Sequence, residues 1–355
     1  MIDRIEVVRG GGSALYGASA IGGTINVITK EPVRNSAEVS HTTTSIEGKG
    51  GMENNTTANV SVVSEDGKTG LYVYGQHHYR PGFDHDGDGY TELPNLRNQT
   101  LGLSAFYKFT PYSKLSLQYH NISEFRRGGN KLDLAAHESN ITEQGDHDIN
   151  AANLGYDWMS KDYKDRLKAY FSFSNTVRKS YYGGIGEGKP DDIETALKAY
   201  GRTTDLTTVT GLQYVHQFDK LLFMPSDLTL GAEYNYDALK DKIIGYNHLL
   251  DQKTRISSAY FQNEWKNQQW SLLLGGRFDK HNLIHHLIFS PRVNLRYNPT
   301  ENINLRASYS SGFRAPQAFD EDLHVGFAGG ERIVTRLASG LKEERSHSFS
   351  LSADL

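Results

Sequence analysis

Stretches of about ten residues in which apolar and polar side chains alternate recur along this chain. In DLTLGAEYNYDAL, Leu228, Leu230, Ala232, Tyr234 and Tyr236 fall on one side, and Thr229, Gly231, Glu233, Asn235 and Asp237 on the other. Successive side chains of an extended strand point to opposite faces, so such a segment has one apolar and one polar face. RLKAYFSFS divides in the same way, with Leu167, Ala169, Phe171 and Phe173 against Lys168, Tyr170, Ser172 and Ser174. LGLSAFYKF, RVNLRY and INLRASYS follow, whereas TGLQYVHQF and RISSAYFQNEW do not sort cleanly. A tilted strand of about ten residues is long enough to cross a bilayer.

Alternation alone fits two architectures, a soluble sandwich of two sheets or a barrel with its apolar face in lipid. The connections separate them. Short polar turns (SEDGKT, TPYS, SKDYKD, KNQQ and NPTEN) alternate with long segments at 83–98, 128–149 and 183–205. Short connections on one side and long ones on the other mark an outer-membrane barrel, and tyrosines near strand ends fit its aromatic girdles. The pattern predicts an all-β fold, a transmembrane antiparallel β-barrel with roughly fourteen strands between Ala37 and Leu355. No run approaches the ~18 apolar residues of a membrane-spanning helix. With no cysteine in 355 residues, disulfides and thiolate chemistry are excluded. The 38 basic and 42 acidic residues form no long block of one sign, which argues against a nucleic-acid surface.

The densest motif is IDRIEVVRGGGSALYGASAIGGTINVITKEP, residues 2–32. A phosphate-binding loop would need a Lys-Ser/Thr pair after the last glycine, and a dinucleotide fingerprint would need a helix after spaced glycines. Here Ser13, Ala14 and Leu15 follow the three glycines, and TINVITK is strand-like. Two short strands joined by a glycine-rich turn fit better. The stretch closely resembles the carboxy-terminal end of the plug domain of TonB-dependent outer-membrane receptors, in which an I-E-R-I-E-V-L-R-G-like strand leads through L-Y-G to a G-G-x-I-N-I-I-T-K-like strand. LRASYSSGFRAPQAFDEDL, residues 305–323, resembles that family's barrel segment around G-F-R-A-P, here Gly312, Phe313, Arg314 and Pro316.

The resemblance implies that residues 1–36 end a plug domain and that 37–355 form a partial barrel, about 14 of 22 strands. A signal peptide, the TonB box and most of the plug are expected before Met1, and about eight strands after Leu355, so that the chain is an internal fragment. It also implies the outer membrane of a Gram-negative bacterium, contact with its lipid, and coupling to a TonB–ExbB–ExbD energy complex through the TonB box; a surface lipoprotein is a further candidate partner. Glu6 and Arg9 match charged plug positions and are expected to pair with charges on the barrel wall. Gly10, Tyr16, Gly17, Gly22 and Gly23 are expected to serve turn geometry and close packing against that wall.

In PGFDHDGDGYTELPN, Asp84, Asp86, Asp88, Gly89, Tyr90 and Glu92 match positions one, three, five, six, seven and nine of an EF-hand calcium loop. Asn95 replaces the glutamate at position twelve, and no helices are expected to flank the segment. Two readings stand: a barrel loop that binds calcium through Asp84, Asp86, Asp88, Glu92 and the Tyr90 carbonyl, or a solvated Asp/Gly turn. With the first barrel strand starting near Ala37 and rising outward, the loop is the second extracellular one, and some cobalamin transporters of the resembled family order that loop with calcium. His77–His78 and His285–His286 cannot chelate through one surface, because neighbours on a strand point apart. His85, His137 and His147 read as scattered loop residues.

No nucleophile–base pair or paired carboxylates stand out, and the chain is not expected to be an enzyme. The expected function is energised uptake of a scarce metal chelate, a ferric siderophore or a cobalamin. Family-wide frequency favours iron and the acidic loop favours cobalamin. A secreted calcium-binding β-sandwich or adhesin is the alternative; it accounts for the alternation and the acidic loop but leaves both long motifs unexplained.

Overall fold

A computed structural model of the chain describes residues 2–9, 17, 23–48, 51–186, 188, 190–319, 323–328, 331–334, 336–338 and 340–354. Strands β1 (Ile2–Arg9) and β2 (Gly23–Thr29) form an antiparallel hairpin of their own, with Glu6 opposite Asn26. A second sheet starts at β3 (Ser36–Ser45) and continues through β4 (Met52–Val63), β5 (Thr69–Arg80), β6 (Asn95–Thr110), β7 (Ser113–Gly129), β8 (Thr142–Met159) and β9 (Asp165–Gly183). A short helix, α1 (Pro190–Lys198), precedes β10 (Tyr200–Leu221), followed by β11 (Met224–Ile243), β12 (His248–Lys266), β13 (Trp270–His281), β14 (Ile288–Thr300) and β15 (Ile303–Arg314). After the small hairpin β16 (Gly326–Ala328) and β17 (Glu331–Ile333), β18 (Glu344–Asp354) returns to pair with β15. These 14 strands lie in chain order in one antiparallel sheet, with β3 and β18 as its edges. One continuous sheet is not the pair of packed sheets that a sandwich requires.

The two faces differ as the alternation demands. On β11, Leu230 and Tyr234 are each 44% exposed, whereas Thr229 between them and the turn is 8% exposed. Leu71, Leu101, Leu154, Phe171, Leu212 and Phe261 extend the exposed apolar face across neighbouring strands. A face of that extent needs an apolar solvent, and lipid supplies it. Tyr107, Phe109, Trp158 and Trp270 cluster toward the short-turn ends as an aromatic girdle.

The strands are longer than the expected ten residues: β8 to β12 have 18, 19, 22, 20 and 19. Beyond the lipid band, backbone pairing continues while apolar side chains are no longer required outside. The polar segment 200–205 is therefore the start of β10 rather than loop. In β12, Ile256, Ser258 and Tyr260 are buried while Arg255, Ser257 and Phe261 are exposed, a strict alternation in burial. Its polarity is blurred because the inner face carries bulky apolar groups too.

The end of β2 and the linker after it touch the inner face near the short turns. Lys114 Nζ lies 2.5 Å from Glu31 Oε1, and Gln118 Nε2 donates to Thr29 Oγ1 at 3.0 Å. The Val63 N–H donates to Asn35 Oδ1 at 2.7 Å, fastening the linker as it enters β3.

Leu230→Arg, in the lipid band, should cost about 2–4 kcal/mol of barrel stability, and Asn235→Arg on the inner face much less. Folding into bilayers, followed by gel mobility without heating, measures both; equal tolerance would contradict the assignment of faces. The open edges of β3 and β18 lead to a second expectation: this chain expressed alone should self-associate. Sedimentation should find aggregate rather than a monodisperse, cooperatively melting monomer.

Candidate functional site

The 81–94 connection is pinched at its base, where the Phe83 and Leu93 backbones exchange hydrogen bonds of 2.9 and 3.2 Å. Above that bridge the carboxylates fold back on backbone donors. Asp84 accepts from the N–H groups of Gly87 at 2.7 Å and Gly89 at 2.8 Å, and Asp86 accepts from Asp88 at 3.2 Å. Asp88 accepts from the Tyr90 N–H at 2.8 Å, and Glu92 from the His85 N–H at 2.5 Å. Gly87 and Gly89 have φ of 81° and 89°, the left-handed region in which a side chain is strained. The result places one oxygen from each of Asp84, Asp86, Asp88 and Glu92 within 4.8 Å of one another. An all-oxygen, anionic donor set fits a hard divalent cation such as calcium. Strands β5 and β6 flank it, so this is not an EF-hand.

The loop is anchored to its neighbours. His85 Nδ1 lies 3.1 Å from Glu47 Oε2 in the connection between β3 and β4, and the Thr91 N–H donates to the Gly129 carbonyl at 3.1 Å.

Inside the sheet a second constellation surrounds Arg277, which is 1% exposed. Its Nη2 donates to Glu233 Oε1 and to Ser258 Oγ, both at 2.7 Å, and its Nε donates to Asp279 Oδ1 at 2.8 Å. Ser258 also donates to Asp279 at 2.6 Å, Tyr170 donates to Glu233 at 2.5 Å, and the Tyr260 ring centre lies 5.6 Å from the guanidinium. Register explains the convergence: Glu233 pairs with Ser258, Ser258 with Asp279, and Tyr260 with Arg277 across β11 to β13. Gly17 packs against this cluster with φ of 78°, and a Cβ there would come 3.1 Å from Arg277 Nη2. Of the plug motif, Gly17 is thus brought to the wall.

Glu6 departs from expectation. Its partners among the described residues are Arg4 Nε at 2.9 Å and Asn26 Nδ2 at 3.2 Å, both in the hairpin. Arg4 shares its strand face and Asn26 lies directly across, so the hairpin neutralises Glu6 without the wall; the Arg4 guanidinium, then the Asn26 amide, hold the Glu6 carboxyl below its usual range. Arg9 pairs through its backbone with Gly23 at the start of β2, and its side chain lies outside the described residues, as do Gly10, Tyr16 and Gly22.

The barrel motif ends β15. Phe313, 1% exposed, packs with Ile284, Ile288 and Ala315; Gly312 and Arg314 pair with Ser346 and Glu344 of β18, and Pro316 follows the strand. The Arg314 guanidinium lies 3.8 Å from the Phe319 ring centre. The chain then turns inward: Gln252 holds the Ala318 backbone at both ends, at 2.9 and 3.1 Å, and His281 Nε2 meets Gln317 Oε1 at 3.1 Å. Between this segment and the wall lies a cavity of about 370 Å³ lined by Arg178, Thr203, Asp205, Asp237, Gln317 and Phe319. Along its edge Arg178 Nε donates to Thr203 Oγ1 at 3.2 Å, and Thr203 donates to Asp241 at 2.5 Å.

Sequence reasoning missed the Arg277 cluster and this cavity. A cue was present in SLLLGGRFDKH, where Arg277 and Asp279 share one face and Leu272, Leu274 and Phe278 the other. Two opposite charges on the inward side of a lipid-facing strand have to meet partners inside. The flagged histidines do not converge: His78 pairs with Glu53, His85 with Glu47 and His286 with Glu343.

An antiparallel sheet with a lipid-facing outside, long connections on one side and Gly17 of the glycine-rich amino-terminal motif buried against its inner face has the architecture of an outer-membrane receptor barrel. The family profile described as "TonB dependent receptor-like, beta-barrel" matches residues 55–355, and the chain belongs to this family. The iron-regulated outer membrane virulence protein of Vibrio cholerae is 27% identical over 329 residues, covering 89% of this chain and 45% of that protein. The vitamin B12 transporter BtuB of Vibrio vulnificus is 24% identical over 335 residues, covering 90% of this chain and 48% of the relative. The chain therefore spans about half the length of the curated relatives it matches. The crystal structure of the siderophore receptor PirA from Pseudomonas aeruginosa shares the fold, with a TM-score of 0.76 at 17% identity, over 99% of this chain and 59% of the other.

Arg277→Met should destabilise the barrel by about 3–5 kcal/mol, because Asp279 and Glu233 are left buried without their cation. Arg277→Met combined with Asp279→Leu should recover part of that loss. Denaturant unfolding of the single, the partner single and the double variant closes the cycle; strictly additive effects would mean that the pair is not coupled.

Proposed function

We propose that this chain is the plug end and barrel portion of a receptor that takes up a metal chelate across the outer membrane, driven by an energised inner-membrane complex of the TonB–ExbB–ExbD type. The observation that carries the reading is Gly17 seated on the Arg277 cluster: an inner face occupied by plug belongs to a gated receptor rather than an open pore. Coupling would run through a TonB box on chain outside these residues, and further strands would close the sheet between β18 and β3. No chemical conversion of the cargo is assigned.

The cavity beside Gln317 and Phe319 is our candidate cargo contact, since it combines Arg178, Asp205 and Asp237 with an aromatic ring on the long-loop side of the plug. A chelate rich in hydroxyl, carboxylate or amide groups suits that lining. Ferric siderophores and cobalamins both meet the description. Relatives named for iron regulation or siderophore reception favour the first, and the acidic loop favours the second. A surface lipoprotein that caps the long connections is a further partner consistent with their size. Uptake of labelled ferric siderophores and of labelled cobalamin by cells with and without TonB tests the reading; accumulation that ignores TonB would overturn it.

The acidic loop would hold calcium through Asp84, Asp86, Asp88 and Glu92, with the Tyr90 carbonyl as a further ligand. A bound cation relieves repulsion among these carboxylates and fixes the loop at the barrel mouth, lowering the ordering cost that cargo otherwise meets. Extracellular sites of this kind have dissociation constants on the order of 10⁻⁴ to 10⁻³ M. Cargo affinity of the full receptor should fall on chelation, and Asp86→Asn with Asp88→Asn should abolish the response to calcium. Titration calorimetry in millimolar calcium and in chelator decides; identical affinities would reduce the loop to a solvated turn.

A further inference from the structure

The foot of the inner wall carries cations that the amino-terminal segment leaves mostly unanswered. Lys108 on β6, Lys114 on β7, Asp157 on β8, Lys168 on β9 and Gln213 on β10 stand directly opposite one another in register, so they form one row on one face. That face is the lumen side. Lys114 meets Glu31 of the segment after β2, and Lys168 alternates in step with Tyr170, which bonds Glu233 of the Arg277 cluster. Arg166 continues the same face one step lower, opposite Met159 and Val215. Lys108, Lys114, Arg166 and Lys168 thus share a single wall carboxylate, Asp157, around a cavity of about 410 Å³ beside the short turns.

Local partners neutralise only Lys114, which has Glu31 at 2.5 Å. Lys108 Nζ donates to the Gly67 carbonyl at 3.1 Å and lies 5.1 Å from the Phe106 ring centre. Among the described residues Arg166 and Lys168 have no carboxylate within ion-pair distance, and both are exposed. Lys108 and Lys114 are directly opposed, and like charges across strands destabilise a sheet. These groups face the lumen, out of reach of lipid headgroups, so the anion that suits them arrives by way of the lumen.

A groove leads down to them along the same strands. Below Arg178 and Asp205 the upper cavity gives way to one of about 290 Å³, whose lining on β8 to β10 includes Ala151, Asn153, Ser172, Ser174, Thr207 and Val209, all uncharged. At the next level Tyr170 leans over Gly211, where a Cβ would meet its ring, and its hydroxyl reaches Glu233 on β11. Its neighbour on the other side is Gly155 of β8, so no side chain closes the groove there. Along β9, at roughly 3.3 Å per residue and a tilt of about 40°, Lys168 lies about 25 Å below Arg178. We propose that the basic row is a second cargo site, an exit station at the short-turn end of the wall that takes an anionic, oxygen-rich ferric chelate. Its catecholate or carboxylate oxygens would sit on Lys108, Arg166 and Lys168 and, once Glu31 withdraws, on Lys114; ammonium and guanidinium groups suit such oxygens. Asp157 tempers the attraction, as a site of passage requires, since cargo has to leave it as well as enter. The inference rests on the receptor reading above and narrows its cargo to the anionic class.

The experiment uses the complete receptor, folded in a zwitterionic detergent, with a fluorophore at V215C on the cavity lining. The probes are a ferric tris-catecholate, which is a trianion, and an uncharged ferric trihydroxamate. The trianion should quench the label saturably, and R166Q/K168Q should weaken that binding by roughly ten-fold or more, as should exchanging the trianion for the uncharged probe. R166K/K168R, which keeps both charges, should bind as the wild type does. So should K161Q/K220Q, which loses the same charge at exposed positions beside the short turns. R166Q alone supplies a second reading if the double variant does not fold, and it too should weaken binding. In cells, R166Q/K168Q should slow TonB-dependent uptake of the ferric tris-catecholate while leaving its binding at the cell surface unchanged. Equal quenching by the uncharged probe, undiminished binding by R166Q/K168Q or R166Q, equal weakening by K161Q/K220Q, or unchanged uptake would overturn the proposal. Uptake that ignores TonB would overturn the receptor reading and this site with it; TonB-dependent uptake confined to uncharged chelates or cobalamin would overturn this site alone.

Discussion

A backbone N–H or C=O inside hydrocarbon finds no water, and each one left unpaired costs several kcal/mol. That constraint shapes everything else in the chain. It accounts for the unbroken ladder from β3 to β18, in which each strand pairs with its successor and β15 passes over the small β16–β17 hairpin to reach β18. It also permits strands to outgrow the bilayer, because a ladder satisfied at one level continues upward without penalty. What changes with height is the choice of side chain. Leu228 to Ala238 face lipid, and the same outward series then passes to Lys240 and Lys242 without any break in pairing.

Because the outside is committed to lipid, charge is confined to the inner face and the two rims, where it does different work. On the inner face Arg277 is held by Glu233, Asp279 and Ser258 from adjoining strands. At the rim, Asp84, Asp86, Asp88 and Glu92 gather on one short loop, and Lys179, Arg202 and Lys242 line up on the outer wall. The inner group is internally compensated. The rim groups have weaker partners: Lys179 reaches Asp146 only at 4.0 Å, and the loop carboxylates are held by backbone N–H groups rather than by cations.

Much of this was legible in the sequence, for identifiable reasons. Lipid imposes a period of two on Leu228 to Tyr234 that no loop would keep, so the strands and their faces could be read directly. The acidic loop was equally readable because its residues are local: Asp84 to Glu92 converge within one turn, and their spacing alone brings the oxygens together. The Arg277 cluster was not, since its members come from positions 170, 233, 258, 260, 277 and 279 and meet only through register. Strand ends were misplaced for a related reason. Above the membrane, segments such as Tyr200–Asp205 are polar on both faces, and composition there resembles loop although the ladder persists. Glu6 illustrates a further limit: a charge expected to reach the wall found Arg4 and Asn26 closer at hand.

On the proposed reading of residues 1–36 as the end of a plug, the contact between Gly17 and Arg277 suits a segment that would have to leave its seat. Had the plug supplied an essential counter-charge at Gly17, its departure would strand a buried cation, at a cost of several kcal/mol. A glycine supplies none. Arg277 already has Glu233, Ser258 and Asp279 as hydrogen-bond partners within the wall, and Glu233 is further held by Tyr170. Gly17 makes a close backbone approach at φ 78°, a fit of shape that adds no charge to the network. Glu6, neutralised inside its own hairpin, follows the same logic from the other side. The charged link between the two parts lies elsewhere, at the half-exposed Lys114–Glu31 pair near the short turns, where water can take over each partner if the contact opens.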